Sequence, residues 1–210
     1  MATADILVNA FTTMLVTLDP PGLAPVFLGM TAGMRRDQRR HVAVRGSLVA
    51  FGILAVFAVF GASLLGALGI SMGAFRIAGG FLLFWIAFEM VFERRQERKA
   101  KTSQEAITLG QLHNLAVFPL ALPLIAGPGA ISATVLLAGT MSGPWDRLLL
   151  IGVLALTMGV VLMALLIAER LDRFLGLTGR AILTRLLGVV LAALSVQFVV
   201  DGVKSAFNTV

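Results

Sequence analysis

Leu18-Asp19-Pro20-Pro21-Gly22-Leu23-Ala24-Pro25 interrupts a segment that is otherwise apolar from Asn9 to Met30. That segment is long enough to cross a bilayer, whose hydrocarbon core takes about 20 residues of helix. Asp19 falls near its middle. A carboxylate there costs about 2.5–3.5 kcal/mol on insertion scales, so it faces protein or a water-filled cavity. Pro20, Pro21 and Pro25 offer no backbone N–H, and each ring clashes with the preceding turn. Gly22 accepts unusual dihedrals. An acid and a helix break at the same depth predict a discontinuous transmembrane helix with a binding site at the break. The plainer reading is a tolerated proline kink with a water-solvated Asp19, and a second break further along weighs against it.

The surrounding chain belongs in a membrane. Its 210 residues are 58% hydrophobic and 13% charged, with a mean hydropathy of +0.94, whereas soluble domains carry about 25% charged residues. Apolar segments recur at 6–30, 46–68, 72–92, 111–139, 148–168 and 181–203. They predict an all-α integral membrane protein of six transmembrane helices. No room is left for a soluble domain, so residues 1–210 form one membrane domain. The absence of cysteine excludes disulfides, thiol catalysis and Cys-ligated metals. Met1-Ala2-Thr3-Ala4-Asp5 lacks the basic n-region of a cleaved signal peptide, and none is expected.

The net charge of +6 has a pattern. Arg35, Arg36, Arg39, Arg40 and Arg45 occupy the first loop; Arg94, Arg95, Arg98, Lys99 and Lys101 the third; Arg170, Arg173, Arg180 and Arg185 the fifth. Of the 17 basic residues only Arg76, Arg147 and Lys204 remain for the other side. The positive-inside rule then makes the odd-numbered loops cytoplasmic and places both termini outside. The clusters read as topology signals with lipid headgroup contact, not as a nucleic-acid surface.

Glu93 to Glu105 reads as a charged cytoplasmic linker dividing the chain into repeats at 1–92 and 106–210, three spans each. Pro21-Gly22 matches Pro128-Gly129, Ser71 matches Thr178, and Arg76-x-x-Gly79 matches Arg185-x-x-Gly188, in corresponding spans. An odd number of spans per repeat inserts the second copy upside down. Two inverted-topology three-helix repeats, with broken helices in spans 1 and 4, are a recurring architecture of secondary transporters.

The second break runs Pro119-Leu120-Ala121-Leu122-Pro123-Leu124-Ile125-Ala126-Gly127-Pro128-Gly129-Ala130-Ile131-Ser132. Both breaks end in Pro-Gly, and proline suits the first turn of a new helix. Orphan N–H groups at two facing half-helix N-termini form a site for an anion or carboxylate. Asp19 beside them has three open roles: counter-ion to a substrate ammonium, protonatable coupling site, or Na⁺ ligand. The candidate substrate or ion site is Thr17, Asp19, Pro20, Gly22, Pro123, Gly127, Pro128, Gly129 and Ser132. Thr17, Thr13, Ser132 and Thr134 are hydroxyls that line the path or equally well serve helix packing and back-bonding.

Other residues read more plainly. Glu89 snorkels at the inner end of span three, Arg76 and Arg185 are interfacial anchors, and Gln197 donates to the site or to a neighbouring helix. Gly69-x-x-x-Gly73 and Gly139-x-x-x-Gly143 are loop or close-packing glycines. Neither His41 nor His113 has a second histidine at ligand spacing, so no metal site and no cofactor are expected, with H⁺ or Na⁺ coupling left open. The expected partners are the lipid bilayer and a small-molecule substrate, without nucleic acid and compatibly with a homo-oligomer. With no Cys, no His pair, no carboxylate placed to pair with Asp19 and no Gly-x-Ser-x-Gly elbow, an enzyme is not expected.

Asp19-Pro20-Pro21-Gly22 with Pro25-Val26-Phe27, then Ala74-Phe75-Arg76-Ile77-Ala78-Gly79-Gly80, then the second break, resemble the MarC family. Leu183-Thr184-Arg185-Leu186-Leu187-Gly188 and Val196-Gln197-Phe198-Val199-Val200-Asp201-Gly202 extend the resemblance over essentially the whole chain. Pro21 departs from the small residue or Ile usual at its place, which stiffens the break and removes no proposed ligand. The resemblance implies a six-span protein of the bacterial cytoplasmic (inner) membrane, a secondary transporter or exporter of small solutes, small neutral amino acids foremost. The alternative is a non-transporting accessory or structural membrane protein, in which the prolines matter and Asp19 does not. Reporter fusions after Gln38, Gln96 and Thr178 are all expected to report cytoplasm; a periplasmic signal at Gln96 would refute the inversion.

Overall fold

A computed structural model describes residues 3–108, 115–140 and 143–207, and these are helical, with no strand among them. The elements are α1 (Thr3–Leu18), α2 (Pro20–Met30), α3 (Arg36–Ala67), α4 (Met72–Val91), α5 (Arg94–Thr108), a wide-coiled segment Ala116–Ile125, α6 (Pro128–Ala138), α7 (Pro144–Leu166) and α8 (Ala168–Phe207). Among the described residues five stretches are long and apolar enough to cross a membrane: Asp5–Met30, Arg36–Ala67, Met72–Val91, Trp145–Leu166 and Ala168–Phe207. The pair Ala116–Ile125 and Pro128–Ala138, bent by 59°, brings the number to six if it counts as one span. The predicted start of span four, with His113, lies outside the described residues.

Local chemistry explains where these helices stop. Asp19 stands between α1 and α2 in the left-handed region (φ 53, ψ 66). The ring of Pro20 bars it from the right-handed helical region, and Asp is one of the few non-glycine residues that tolerate the left-handed one. Its N–H still donates to the Leu15 carbonyl, and its own carbonyl accepts from Leu23, so one residue ends one helix and starts the next. In Ala116–Ile125 the pre-proline residues Phe118 and Leu122 are extended (φ −129 and −128), as pre-proline sterics demand. The coil widens in response: Leu120 donates to the Leu115 carbonyl and Ala126 to Ala121, five residues back. Gly176 (φ 59) interrupts the first part of α8.

Packing is tightest between α4 and α8, the most extensive helix pair. A Cβ on Gly80 would come within 2.8 Å of the Ser195 carbonyl oxygen, and one on Gly202 within 2.8 Å of the Gly73 carbonyl oxygen. Without a hydrophobic drive between helices in lipid, such close backbone approach is the main source of association. Gly73, from the first of the two Gly-x-x-x-Gly sequences, is therefore a close-packing residue. Elsewhere α3 packs on α7, α3 on α6, and α1 on α6, α7 and α8. The core among them includes Met14, Leu23, Phe27, Leu54, Leu83, Met90, Leu120, Leu136 and Leu150. Large apolar side chains such as Phe60, Phe81, Leu156 and Leu186 point outward, as helices facing lipid require.

Gly80→Ala is expected to destabilise by about 1–3 kcal/mol through overpacking. Gly159→Ala on α7, where a Cβ meets nothing within 4 Å, is expected to be neutral or to stabilise by up to about 1 kcal/mol. Unfolding of the two variants in the same detergent checks the contrast.

Candidate functional site

Asp19 is completely buried, and its partners come from a part of the chain that reads as a linker. Its Oδ1 accepts from the Gly22 N–H at 3.1 Å, which caps α2. Its Oδ2 lies 3.5 Å from Lys99 Nζ and 4.0 Å from Arg95 Nε. Arg95 also donates through Nη2 to the Thr17 carbonyl, and Lys99 reaches the Leu18 carbonyl at 3.5 Å. These are C-terminal carbonyls of α1, the negative end of its dipole, where cations are favoured. The stretch 93–105, read as a charged linker, is packed against the rest of the protein. Most of it belongs to α5, whose residues Arg95, Lys99 and Ser103, one per helical turn, are buried against α2, α4 and Ala116–Ile125.

Burial and charge oppose each other on α5. Desolvation pulls the Lys99 ammonium down from 10.5 to about 8, even though Asp19 favours its charged form. Desolvation likewise lowers Arg95, against the attraction of Asp19. Next to this cluster Arg98 Nη2 lies 2.9 Å from Glu89 Oε2. Glu89, expected to snorkel, is buried and ion-paired instead. Several donors are unspent: Arg95 Nε and Nη1 and Gln96 Nε2 are buried with no hydrogen-bond partner among the described residues.

A cavity of about 200 Å³ opens beside the cluster. Thr17, Arg95 and Lys99 line one part of it, Pro123, Gly127, Pro128, Gly129 and Ala130 another, with Trp85 and Ile86 of α4 between. The second interruption thus lines the cavity directly, while the first reaches it through Thr17 and through the cations paired with Asp19. Gly127 caps α6 without a side chain, and Pro128 takes its first position, which leaves the N–H groups of the first turn as donors. Both Gly127 and Gly129 are forced by close approach: an added Cβ would lie 2.4 Å from the Pro123 carbonyl oxygen or 2.1 Å from Ile86 Cδ1.

The remaining expected residues fall in different places. Asp19, Pro20 and Gly22 are buried at the start of α2, Asp19 in contact with the cavity-lining cations. A Cβ on Gly22 would sit 2.0 Å from Gln96 Nε2 and 2.1 Å from Asp19 Oδ2, so this glycine is what lets α5 approach. Ser132 does not join them: it lines a separate apolar cavity with Phe57, Phe75 and Val135. Five residues along a helix from Gly127, it is carried round to another face. Thr17 and Thr134 bond back to the Thr13 and Ala130 carbonyls, the packing role open to them from the start. Arg76 reaches the Gly139 carbonyl at the end of α6, Arg185 pairs with Glu93, and Gln197 bonds Asp201 on its own helix. Sequence reasoning missed Arg95, Gln96 and Lys99, whose only signal was a four-residue spacing within a charged helix.

A family description, MarC family integral membrane protein, matches residues 4–207. The chain belongs to the MarC family. It is 37% identical to a UPF0056 membrane protein of Methanocaldococcus jannaschii over 94% of this chain and 95% of that one. A UPF0056 membrane protein of Aquifex aeolicus is 34% identical over 94% and 92%. One from Buchnera aphidicola is 35% identical over 97% and 94%. No solved structure matches the chain significantly. This MarC protein is an integral, multi-pass membrane protein.

Lys99 gives the site a measurable pH signature. Between about 8 and 10.5 the unfolded chain binds a proton at Lys99 that the folded chain does not. Stability is therefore expected to rise with pH across that window, by about 3 kcal/mol in all. In Lys99→Met the rise should flatten. Unfolding midpoints in detergent over the window check it, and a parent-like slope in the variant would remove Lys99 as the cause.

Proposed function

We propose that this MarC protein is a secondary transporter of small solutes, small neutral amino acids foremost, acting across the cytoplasmic membrane. The observation that carries the reading is one small cavity lined by the second chain interruption and by Arg95 and Lys99, the cations that hold Asp19 at the first. A space of about 200 Å³ suits a solute of a few heavy atoms and excludes large ones. The unspent Arg95 donors and the start of α6 favour a carboxylate. Asp19 is already held by Lys99 and Arg95, which favours a role as their internal counter-ion over direct pairing with a substrate ammonium.

Two inverted three-helix repeats fit this reading. Span one touches span four (α1 on α6), span two touches span five (α3 on α7), and span three touches span six (α4 on α8). The cross pairs match as well: α3 on α6 mirrors α7 on α1. A pseudo-two-fold arrangement would relate the two breaks, and in transporters built that way a small rocking motion gives alternating access.

In the proposed cycle the substrate carboxylate competes with Asp19 for Arg95 and Lys99. Winning that competition loosens α5 from the start of α2 and opens the cavity on the α5 side. Arg95 and Lys99 oppose any further positive charge at Asp19, so the coupling ion, H⁺ or Na⁺, stays open.

Uptake of labelled alanine and glycine into proteoliposomes tests the proposal. Asp19→Asn keeps size and hydrogen bonding while leaving two buried cations without their acid, a loss on the scale of a broken buried ion pair. Flux is expected to fall about tenfold or more, in a variant that still inserts and elutes like the parent. Parent-like flux in Asp19→Asn would remove the acid from the mechanism, and no flux in the parent would favour the accessory-protein reading.

A further inference from the structure

A second, larger cavity lies away from Asp19, where α2 meets α3 and α7 meets α8. It measures about 430 Å³ and is lined by Leu28, Leu165, Leu166, Ile167 and Ala168 together with Arg36, Arg39, Arg40 and Arg170. Four guanidinium groups face one carboxylate, Glu169. That carboxylate is taken by Nη1 of Arg39, which ties α3 to α8. Nε of the same Arg39 is buried with no hydrogen-bond partner among the described residues. Arg36, Arg40 and Arg170 remain exposed around it.

A topology signal alone does not require this arrangement. Arginines that only mark the cytoplasmic side gain most by staying in water, and burying an unpaired guanidinium N–H has a cost. Here one arginine is drawn into a groove whose wall is apolar and whose rim includes the exposed Leu166 and Ile167. The groove sits at the ends of four membrane-crossing stretches. A ligand that suits it has a phosphate for the planar donors and an acyl region for the leucines.

We propose that this groove binds the headgroup of an anionic phospholipid, its phosphodiester held by Arg36, Arg39, Arg40 and Arg170 and its upper acyl chain laid on Leu165, Leu166 and Ile167. Basic recesses between helix ends on the positive side are the usual place for such lipids. The site is independent of the transport reading, since none of its residues lines the cavity beside Asp19.

The test uses the full chain in neutral detergent, with its unfolding midpoint followed during titration by phosphatidylglycerol, phosphatidylcholine or inorganic phosphate. Phosphatidylglycerol is expected to raise the midpoint saturably while phosphatidylcholine and inorganic phosphate do not. Arg40→Gln and Arg170→Gln remove exposed side chains, so folding is not at stake, and each is expected to weaken the phosphatidylglycerol response about fivefold. Arg45→Gln, on α3 but outside the groove, is expected to titrate like the parent. An equal response to phosphatidylcholine, or parent-like titration of both groove variants, would overturn the proposal. So would a loss in Arg45→Gln as large as in the groove variants, which would mark a general charge effect. If inorganic phosphate reproduces the full effect, the groove is a phosphate site and the lipid assignment fails.

Discussion

Everything around the first break depends on keeping one carboxylate and two cations together in a buried place. A buried ion pair recovers its desolvation cost only when geometry and extra hydrogen bonds are good. The chain supplies those extras from its own interrupted helices. Asp19 takes the Gly22 N–H, and Arg95 and Lys99 take the carbonyls of Thr17 and Leu18. The break in the helix is what makes these backbone groups available. A continuous helix through Asp19 would have used them internally and left the charges to face each other alone.

The same break fixes what can lie next to it. Gly22 has no space for a Cβ, because Gln96 and Asp19 occupy it, and Gly129 has none because of Ile86. The glycines of the two Pro-Gly pairs thus act mainly as points of contact, each admitting a neighbouring helix. Along α4 and α8 glycine does the same over a longer seam. That seam is held by close approach of backbones, while many bulky side chains of the bundle face outward.

How much of this was legible depended on whether the governing interaction was local. The interruption at Asp19-Pro20 and the new helix at Pro128 follow from proline sterics within two residues, and could be read directly. So could the apolar spans, since lipid imposes one requirement on every exposed position. The wide coil of Ala116–Ile125 needs two pre-proline residues four apart to act together, and only the break itself was visible. The docking of α5 was hidden altogether: a helix with Arg95, Lys99 and Glu97 reads as solvated until a carboxylate far away in sequence claims two of its cations. Ser132 failed for a related reason, since its place depended on the rotation of α6 about its own axis.

Lys99 reaches a carbonyl 81 residues earlier in the chain, and this separation has a consequence for synthesis. Asp19 leaves the ribosome long before the helix that neutralises it exists. The first span therefore enters the membrane with its acid unmatched, at a cost of about 2.5–3.5 kcal/mol that the apolar residues on either side have to offset. Only when α5 emerges, after the third span, does the acid meet its cations. The first three spans and α5 are on these grounds the earliest unit able to mature, and α5 acts as the clasp that closes it while the second half is still being made.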